Sequence, residues 1–152
     1  MNVLQDGGQD AGWVTTRVGR VGYRAETTAR THAFVADEPT AVGGTDTGPT
    51  PYEQLLGALA GCTAMTVRMY ADRKGWPLEA IVVRLRPVRS HAADCADCES
   101  KAVSVGQLQR EVELTGALTD EQRARLLWIA DRCPIKQSLE RGLHVAPVGV
   151  AP

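Results

Sequence analysis

The chain has 152 residues, of which 43% are hydrophobic and 23% are charged, and its net charge is −1 at pH 7. This size and composition fit one compact domain with a hydrophobic core. A net charge near zero offers no basic field for nucleic acid or an anionic membrane. No apolar run approaches the roughly 18 residues that a membrane-spanning helix needs.

The first residues, "MNVLQDGGQDAGW", contain neither the basic segment nor the apolar segment of a secretory signal. We therefore expect a cytoplasmic protein whose four cysteines are thiols in the resting state. Glycine, aspartate and glutamine dominate residues 1–12, so we expect them to be frayed and the single domain to cover 13–152.

From Trp13 to Ala36 the chain is predicted to form strands, because apolar and polar residues alternate in stretches such as "VGYRAETT". Residues 37–49 form a turn-rich connector. A helix is then predicted from Pro51 to Lys74, with Thr50 as N-cap and a glutamate three residues later that completes a capping box. The glycine after Lys74 ends this helix.

An apolar stripe is predicted along this helix, at spacings of three and four residues. Two glycines four residues apart, Gly57 and Gly61, suggest a closely packed neighbour, since each costs about 1 kcal/mol relative to alanine. A helix this apolar is hard to bury in one small chain, so we expect a dimer to cover it. The predicted stripe consists of Leu55, Leu59, Cys62, Met65 and Met69.

The second half of the chain alternates again and then becomes helical. The pattern "TDEQ" at 119–122 is a second capping box, and the helix after it carries Leu126, Ile129, Ala130 and Cys133 on one face. The order of elements favours an α+β fold with antiparallel sheet. The remaining predicted elements are strands at 78–88 and 106–116, a short helix at 134–141 and an edge strand at 143–150.

Two cysteines, Cys62 and Cys133, occupy core-facing helical positions. Each can be a small buried hydrophobe, which is the common role of a free cysteine. Cys133 precedes a proline that starts a new helical turn, and a helix N-terminus stabilises a thiolate. Apolar surroundings instead raise the pKa of a thiol such as Cys62. If Cys62 reacts, a cation must reach it, and the candidates are Arg17, Arg20, Arg24 and Arg30.

The stretches "GGTDTGPTPYEQLL", "ALAGCTAMT" and "ADRCP" resemble the OsmC-like family, which includes osmotically inducible protein C and the organic hydroperoxide resistance proteins. The resemblance covers about residues 36–141. It implies an α+β fold in which antiparallel sheet wraps around long central helices in an intertwined homodimer.

The resemblance also implies a thiol peroxidase that reduces organic hydroperoxides in oxidative-stress defence. Cys62 would be the thiolate that attacks the peroxide, and Cys133 would resolve its sulfenic acid to a disulfide. An external dithiol would reduce that disulfide, and no cofactor would be required.

Three positions depart from, or extend, the family pattern. The glutamate expected ten residues before the reactive cysteine is replaced by Tyr52, and Glu53 follows it as either a capping residue or a site residue. Lys136 stands where relatives often have histidine. His32, in "HAFVADEP", matches a histidine of this branch and is either a half-exposed strand residue or a partner of the thiols.

The loop "HAADCADCE" is a separate candidate site. His91, Cys95 and Cys98 have a spacing that zinc accepts, with Asp94 or Glu99 as a weak fourth ligand. The same two cysteines can instead form a labile disulfide or remain solvated thiols.

Two other functions compete with the peroxidase. The first is a non-enzymatic dimer that binds a small apolar or electrophilic ligand and keeps its thiols as structural residues. The second is a metal-loaded or redox-sensing module that works through Cys95 and Cys98.

Overall fold

The structure is a computed structural model that describes residues 12–88 and 107–147, together with Gly149. These residues form an α+β arrangement with three α-helices and two antiparallel sheets. The chain divides into two compact units, Met1–Leu55 and Leu56–Pro152. No helix among the described residues is both long and apolar enough to cross a membrane.

The first unit contains a three-stranded antiparallel sheet in the order β1-β2-β3. The long extended region predicted for residues 13–36 is therefore three short strands. Gly22, at φ +74°, lies in the first connection, and Arg30, at φ +56°, lies in the second. Such positive φ values interrupt a strand. The strands are β1 (Val14–Val18), β2 (Ala25–Ala29) and β3 (His32–Ala36).

The connector after β3 is organised by the buried carboxylate of Asp37. Its Oδ2 accepts hydrogen bonds from the hydroxyl groups of Thr45 and Thr47 at 2.5 and 2.8 Å, and from their backbone N–H groups at 3.2 and 3.1 Å. Its Oδ1 accepts from the Glu38 N–H at 2.8 Å. The Thr45 hydroxyl is the largest influence on the pKa of Asp37; burial opposes it, and the remaining donors hold the pKa well below its ordinary value.

We expect Asp37→Asn to lower the melting temperature by several degrees, because an amide group cannot accept all of these hydrogen bonds. The folded pKa of Asp37 is depressed. Its contribution to stability is therefore complete above the unfolded pKa of about 4 and is lost as the pH falls through the folded pKa. Thermal unfolding followed by circular dichroism should show a difference between parent and variant at pH 6 that narrows below about pH 4.

The control for this variant is Asp46→Asn, in the same loop. Asp46 is exposed and has a φ of +54°, a conformation that asparagine adopts readily. Equal melting temperatures for the parent and Asp37→Asn at pH 6 would show that the carboxylate does not organise the loop.

Helix α1 (Pro51–Lys74) begins at the end of the first unit and has the bounds predicted from the sequence. The capping box is present: the Glu53 N–H donates to the Thr50 hydroxyl at 3.2 Å, and the Glu53 carboxylate accepts from the Thr50 N–H at 2.8 Å. Gly75, at φ +62°, follows the last turn, where the conformation favours glycine.

The second unit contains the rest of α1, a two-stranded antiparallel hairpin and two shorter helices. Thr119 and Gln122 form the second predicted capping box. The core lies where α1, the hairpin and α2 meet, and it contains Val67, Leu78 and Leu126. The remaining elements are β4 (Leu78–Val88), β5 (Gln107–Gly116), α2 (Asp120–Ala130) and α3 (Pro134–Arg141).

The predicted apolar stripe of α1 is only partly correct. The buried stripe runs at spacings of four residues through Leu59, Thr63, Val67 and Ala71. Met65 and Met69 are instead 67% and 64% exposed, and Leu55 is 39% exposed. The small residues Thr63 and Ala71 bring α1 close to its neighbours in the second unit, so the row that contains them turns inward and the methionines turn outward.

The two helical glycines also differ from expectation. A Cβ atom added at Gly57 or Gly61 would meet no atom within 4 Å apart from the neighbouring residues of the helix. Within the described part of the chain, no neighbour therefore packs against either glycine.

The predicted edge strand at 143–150 is wrong over its described part. Residues 142–147 have no regular secondary structure, and Leu143 and Val145 are 67% and 84% exposed. Pro147 lacks an N–H group for a strand ladder, and the described strands leave this segment unpaired.

Candidate active site

The structure brings Cys62 and Cys133 together in the second unit. Cys62 lies in the middle of α1 and is partly buried, whereas Cys133 is fully buried. The two side chains lie close enough for each to perturb the ionisation of the other, and both are free thiols. Two neighbouring thiols can be oxidised together to a disulfide.

Local sequence explains the position of Cys133. Helix α2 ends at Ala130, and Pro134 begins α3 as its first residue, which leaves Cys133 as the N-cap. Proline suits that first position because it has no N–H to leave unpaired. The predicted buried face of α2 is confirmed, since Leu126, Ile129, Ala130 and Cys133 are all buried.

The two thiols have opposite electrostatic environments. Burial is the largest single influence on the pKa of Cys133, and by itself it raises this pKa. Other groups together outweigh burial and lower the pKa below its ordinary value: the Cys62 side chain, the Lys136 N–H, the Thr63 hydroxyl and the Ile135 N–H. The Cys133 side chain forms no regular capping hydrogen bond. The N–H groups at the start of α3 therefore act through their partial positive charge.

Burial, followed by the hydrogen bond with Cys133, raises the pKa of Cys62. The Ile135 N–H and the Thr66 hydroxyl lower it, but by less. These opposite shifts favour Cys133 over Cys62 as the thiol that carries the first negative charge of the reduced pair.

Arg110, in β5, is a site residue that the sequence analysis missed. One of its nitrogens donates to the Ala130 carbonyl at 3.1 Å and lies 3.5 Å from the Thr63 hydroxyl oxygen, and the other donates to the Asp131 carboxylate. Its side chain is only 16% exposed. The sequence did contain a sign that Arg110 faces inward. In the alternating pattern of β5, Arg110 lies on the same face of the strand as Leu108 and Val112.

The arginines considered earlier as cations for Cys62 belong to the first unit. Of these, Arg24 pairs with Glu26 at 3.3 Å and donates to the Thr47 hydroxyl at 3.1 Å. Lys136, next to the thiols in the second unit, contacts the carboxylates of Glu140 at 2.7 Å and Asp131 at 3.9 Å.

A cavity of about 410 Å³ lies in the second unit, among residues that adjoin the thiols. Leu59 precedes Cys62 by one helical turn, Arg110 contacts Thr63, and Lys136 lies in the first turn of α3. The apolar part of the wall comes from leucines, and the charged groups in it are paired. The apolar lining is formed by Leu59, Leu108 and Leu139.

The other predicted site residues belong to the first unit or lie outside the described residues. His32 is exposed at the start of β3, and Glu53 forms the capping box of α1; both belong to the first unit. The candidate metal residues His91, Cys95 and Cys98 lie outside the described residues.

The chain is thus an α+β protein that brings together one thiol from the middle of a long helix and one from a helix N-terminus. A family model for OsmC-like proteins matches residues 44–147. The chain therefore belongs to the OsmC-like family, as its motifs indicated. A search of curated proteins finds no match.

Solved structures show the same fold. An OsmC-like protein from Mycoplasma pneumoniae matches with a TM-score of 0.67 at 16% identity, over 84% of this chain and 85% of that chain. An OsmC-like protein of unknown function from Vibrio cholerae matches with a TM-score of 0.63 at 15% identity, over 82% and 90%. An organic hydroperoxide resistance protein from Legionella pneumophila matches with a TM-score of 0.55 at 18% identity, over 82% and 85%.

Proposed function

We propose that this protein is a thiol peroxidase that reduces organic hydroperoxides in oxidative-stress defence. The observation that carries the proposal is the proximity of Cys62 and Cys133 in the second unit, where each thiol influences the ionisation of the other and the pKa of Cys133 is lowered. The structural neighbour from Legionella pneumophila is itself an organic hydroperoxide resistance protein. In this proposal Cys62 is the thiol that attacks the peroxide, because it is the more accessible of the two.

The reaction balances with the groups present. The Cys62 sulfur attacks the terminal peroxide oxygen as its proton passes to the Cys133 thiolate, the O–O bond breaks, and the alkoxide takes up a proton to leave as the alcohol. Cys62 is now a sulfenic acid. The Cys133 sulfur then attacks the Cys62 sulfur and expels hydroxide, which is protonated to water. A disulfide remains, and an external dithiol reduces it by exchange.

The cavity beside the site supports organic hydroperoxides over hydrogen peroxide. Its three leucines offer apolar contact to an alkyl or aryl group, whereas a small polar peroxide gains little from such a wall. The chemistry requires no metal or organic cofactor, and we place the protein in the cytoplasm, where thiol reductants are available.

We also propose that the protein is a homodimer in which sheet wraps around central helices as a single domain over residues 13–152. Proteins of this family are commonly dimeric. Met65 and Met69 are exposed on α1. On the same helix, a Cβ atom added at Gly57 or Gly61 would meet no atom of another described element within 4 Å. A second copy over α1 would bury these methionines and use the space at the glycines.

The proposal predicts that one equivalent of cumene hydroperoxide consumes two thiols per chain and leaves a disulfide between Cys62 and Cys133. Thiol counting and peptide mass mapping of the oxidised protein measure this outcome. In a Cys62→Ser variant we expect peroxide consumption to fall to the uncatalysed rate, because no sulfenic acid can form at that position.

Thiol titration after peroxide also separates the proposal from its alternative. If both thiols remain intact, or if Cys62→Ser consumes peroxide as fast as the parent, the protein is no peroxidase. Structural thiols in a dimeric module that binds a small ligand, or senses redox state through other cysteines, would then be the better interpretation.

A further inference from the structure

Arg110 joins three elements of the second unit at one point. From β5, its guanidinium group reaches the Ala130 carbonyl at the end of α2 and the carboxylate of Asp131, the C-cap of that helix. The same group lies 3.5 Å from the hydroxyl of Thr63, the residue next to Cys62 in α1. A guanidinium satisfies the unpaired carbonyls that every helix C-terminus leaves, and its charge complements the helix dipole there.

The position of this junction links it to the thiols. Cys133 is the third residue after Ala130, and the connection between α2 and α3 consists only of residues 131–133. Because the connection has only three residues, a shift of Asp131 at its start would also shift Cys133 at its end. Fixing Ala130 and Asp131 against α1 therefore fixes Cys133 against Cys62.

We propose that Arg110 is a positioning residue that holds the Cys133 segment against α1 for disulfide formation. This inference rests on the proposed peroxidase function. The step that it serves joins the Cys62 sulfenic sulfur to the Cys133 sulfur and releases the hydroxyl group of the sulfenic acid, with one proton, as water. Both sulfurs must approach to bonding distance in this step, so it depends more on alignment than the first attack on a freely diffusing peroxide does.

When the second step is slow, the sulfenic acid meets another peroxide molecule. Attack by the Cys62 sulfenate sulfur on that peroxide adds a second oxygen, gives sulfinic acid and releases another alcohol molecule. The ratio of disulfide to sulfinic acid therefore reports the alignment of the two cysteines, and a mere loss of stability does not change it in protein that remains folded.

The experiment compares parent, Arg110→Ala and Arg110→Lys in reactions without reductant and with an excess of cumene hydroperoxide, so that a second peroxide molecule is available to each sulfenic acid. Dimedone trapping measures sulfenic acid formation, and mass spectrometry measures disulfide and sulfinic acid. We expect Arg110→Ala to slow disulfide formation by about tenfold or more, since misalignment of about 1 Å can cost a hundredfold in rate, and to raise the sulfinic fraction. Arg110→Lys keeps the charge but loses the forked hydrogen bonds, and an intermediate rate is expected.

The matched control is Arg123→Ala. Arg123 also links α2 to β5, because its side chain donates to the backbone carbonyls of Leu114 and Gly116 at 2.7 and 2.9 Å, but it lies at the other end of α2. Its loss should leave the ratio of disulfide to sulfinic acid unchanged.

Each outcome has one meaning. If the parent forms the disulfide and Arg110→Ala forms it as fast, the inference is wrong while the peroxidase function stands. If Arg110→Ala fails to fold, Arg110→Lys decides, and a parent-like ratio in that variant overturns the proposal. If the parent forms no disulfide at all, the peroxidase function itself has failed.

Discussion

Replacing Cys133 by serine should raise the pH at which Cys62 begins to react with peroxide. In the parent, the pKa of Cys133 lies below its ordinary value, because the Cys62 side chain and then the N–H groups at the start of α3 outweigh the effect of burial. The Cys133 thiolate can then take the proton of Cys62 as Cys62 attacks. The rate of sulfenic acid formation in the parent should therefore follow this first, lowered ionisation.

In Cys133→Ser this proton acceptor is absent. Burial, the largest influence on the pKa of Cys62, remains in the variant and still acts to raise this pKa. The midpoint of the rate profile should move to higher pH, and at pH 7 each unit of that movement should cost about tenfold in rate. Because the variant cannot form the disulfide, each chain should accumulate one sulfenic acid.

Stopped-flow or dimedone-trapping rates between pH 5 and 10 measure both profiles. Arg123→Ala serves again as the control and should keep the parent midpoint, since among the described residues the Arg123 side chain donates hydrogen bonds only to carbonyls of β5. Coincident profiles for parent and Cys133→Ser would show that Cys133 resolves the sulfenic acid without assisting the first attack.

The largest effect on stability is expected for Leu126→Ala. Leu126 is fully buried in the core between α1 and the hairpin, alongside Val67. Truncation of a buried leucine removes its transfer free energy and leaves a cavity, which together reduce the free energy of unfolding by about 2–5 kcal/mol.

The next residue supplies the control. Leu127 is 44% exposed, so Leu127→Ala should change the free energy of unfolding by only about 0.5 kcal/mol. Urea unfolding at one fixed protein concentration measures both variants, because self-association would make stability depend on concentration. Equal losses in the two variants would contradict the position of the core described here.

Features set by local chemistry could be predicted from the sequence. The capping box of Thr50 and Glu53, and the glycine after Lys74, define both ends of α1. The second capping box and Pro134 likewise define the starts of α2 and α3. These features depend on side chains that interact with backbone groups within one helical turn. They can therefore be predicted without knowledge of the fold.

Features set by packing were harder to predict. The sequence contains two rows of apolar residues on α1, and only the tertiary contacts decide that the row with Val67 turns inward and the row with Met65 turns outward. The edge strand at 143–150 failed because apolar alternation alone does not supply a pairing partner. The role of Arg110 was missed because it depends on the end of α2, twenty residues later in the chain.

The exposed methionines of α1 bear on the proposed peroxidase function. A thioether is itself oxidised to the sulfoxide, which turns a flexible apolar side chain into a polar one. In an isolated chain Met65 and Met69 are open to that damage, and Met65 lies only one turn from Cys62. In the proposed homodimer, the second copy would cover Met65 and Met69. Self-association would then limit oxidation of these two methionines by the proposed peroxide substrate.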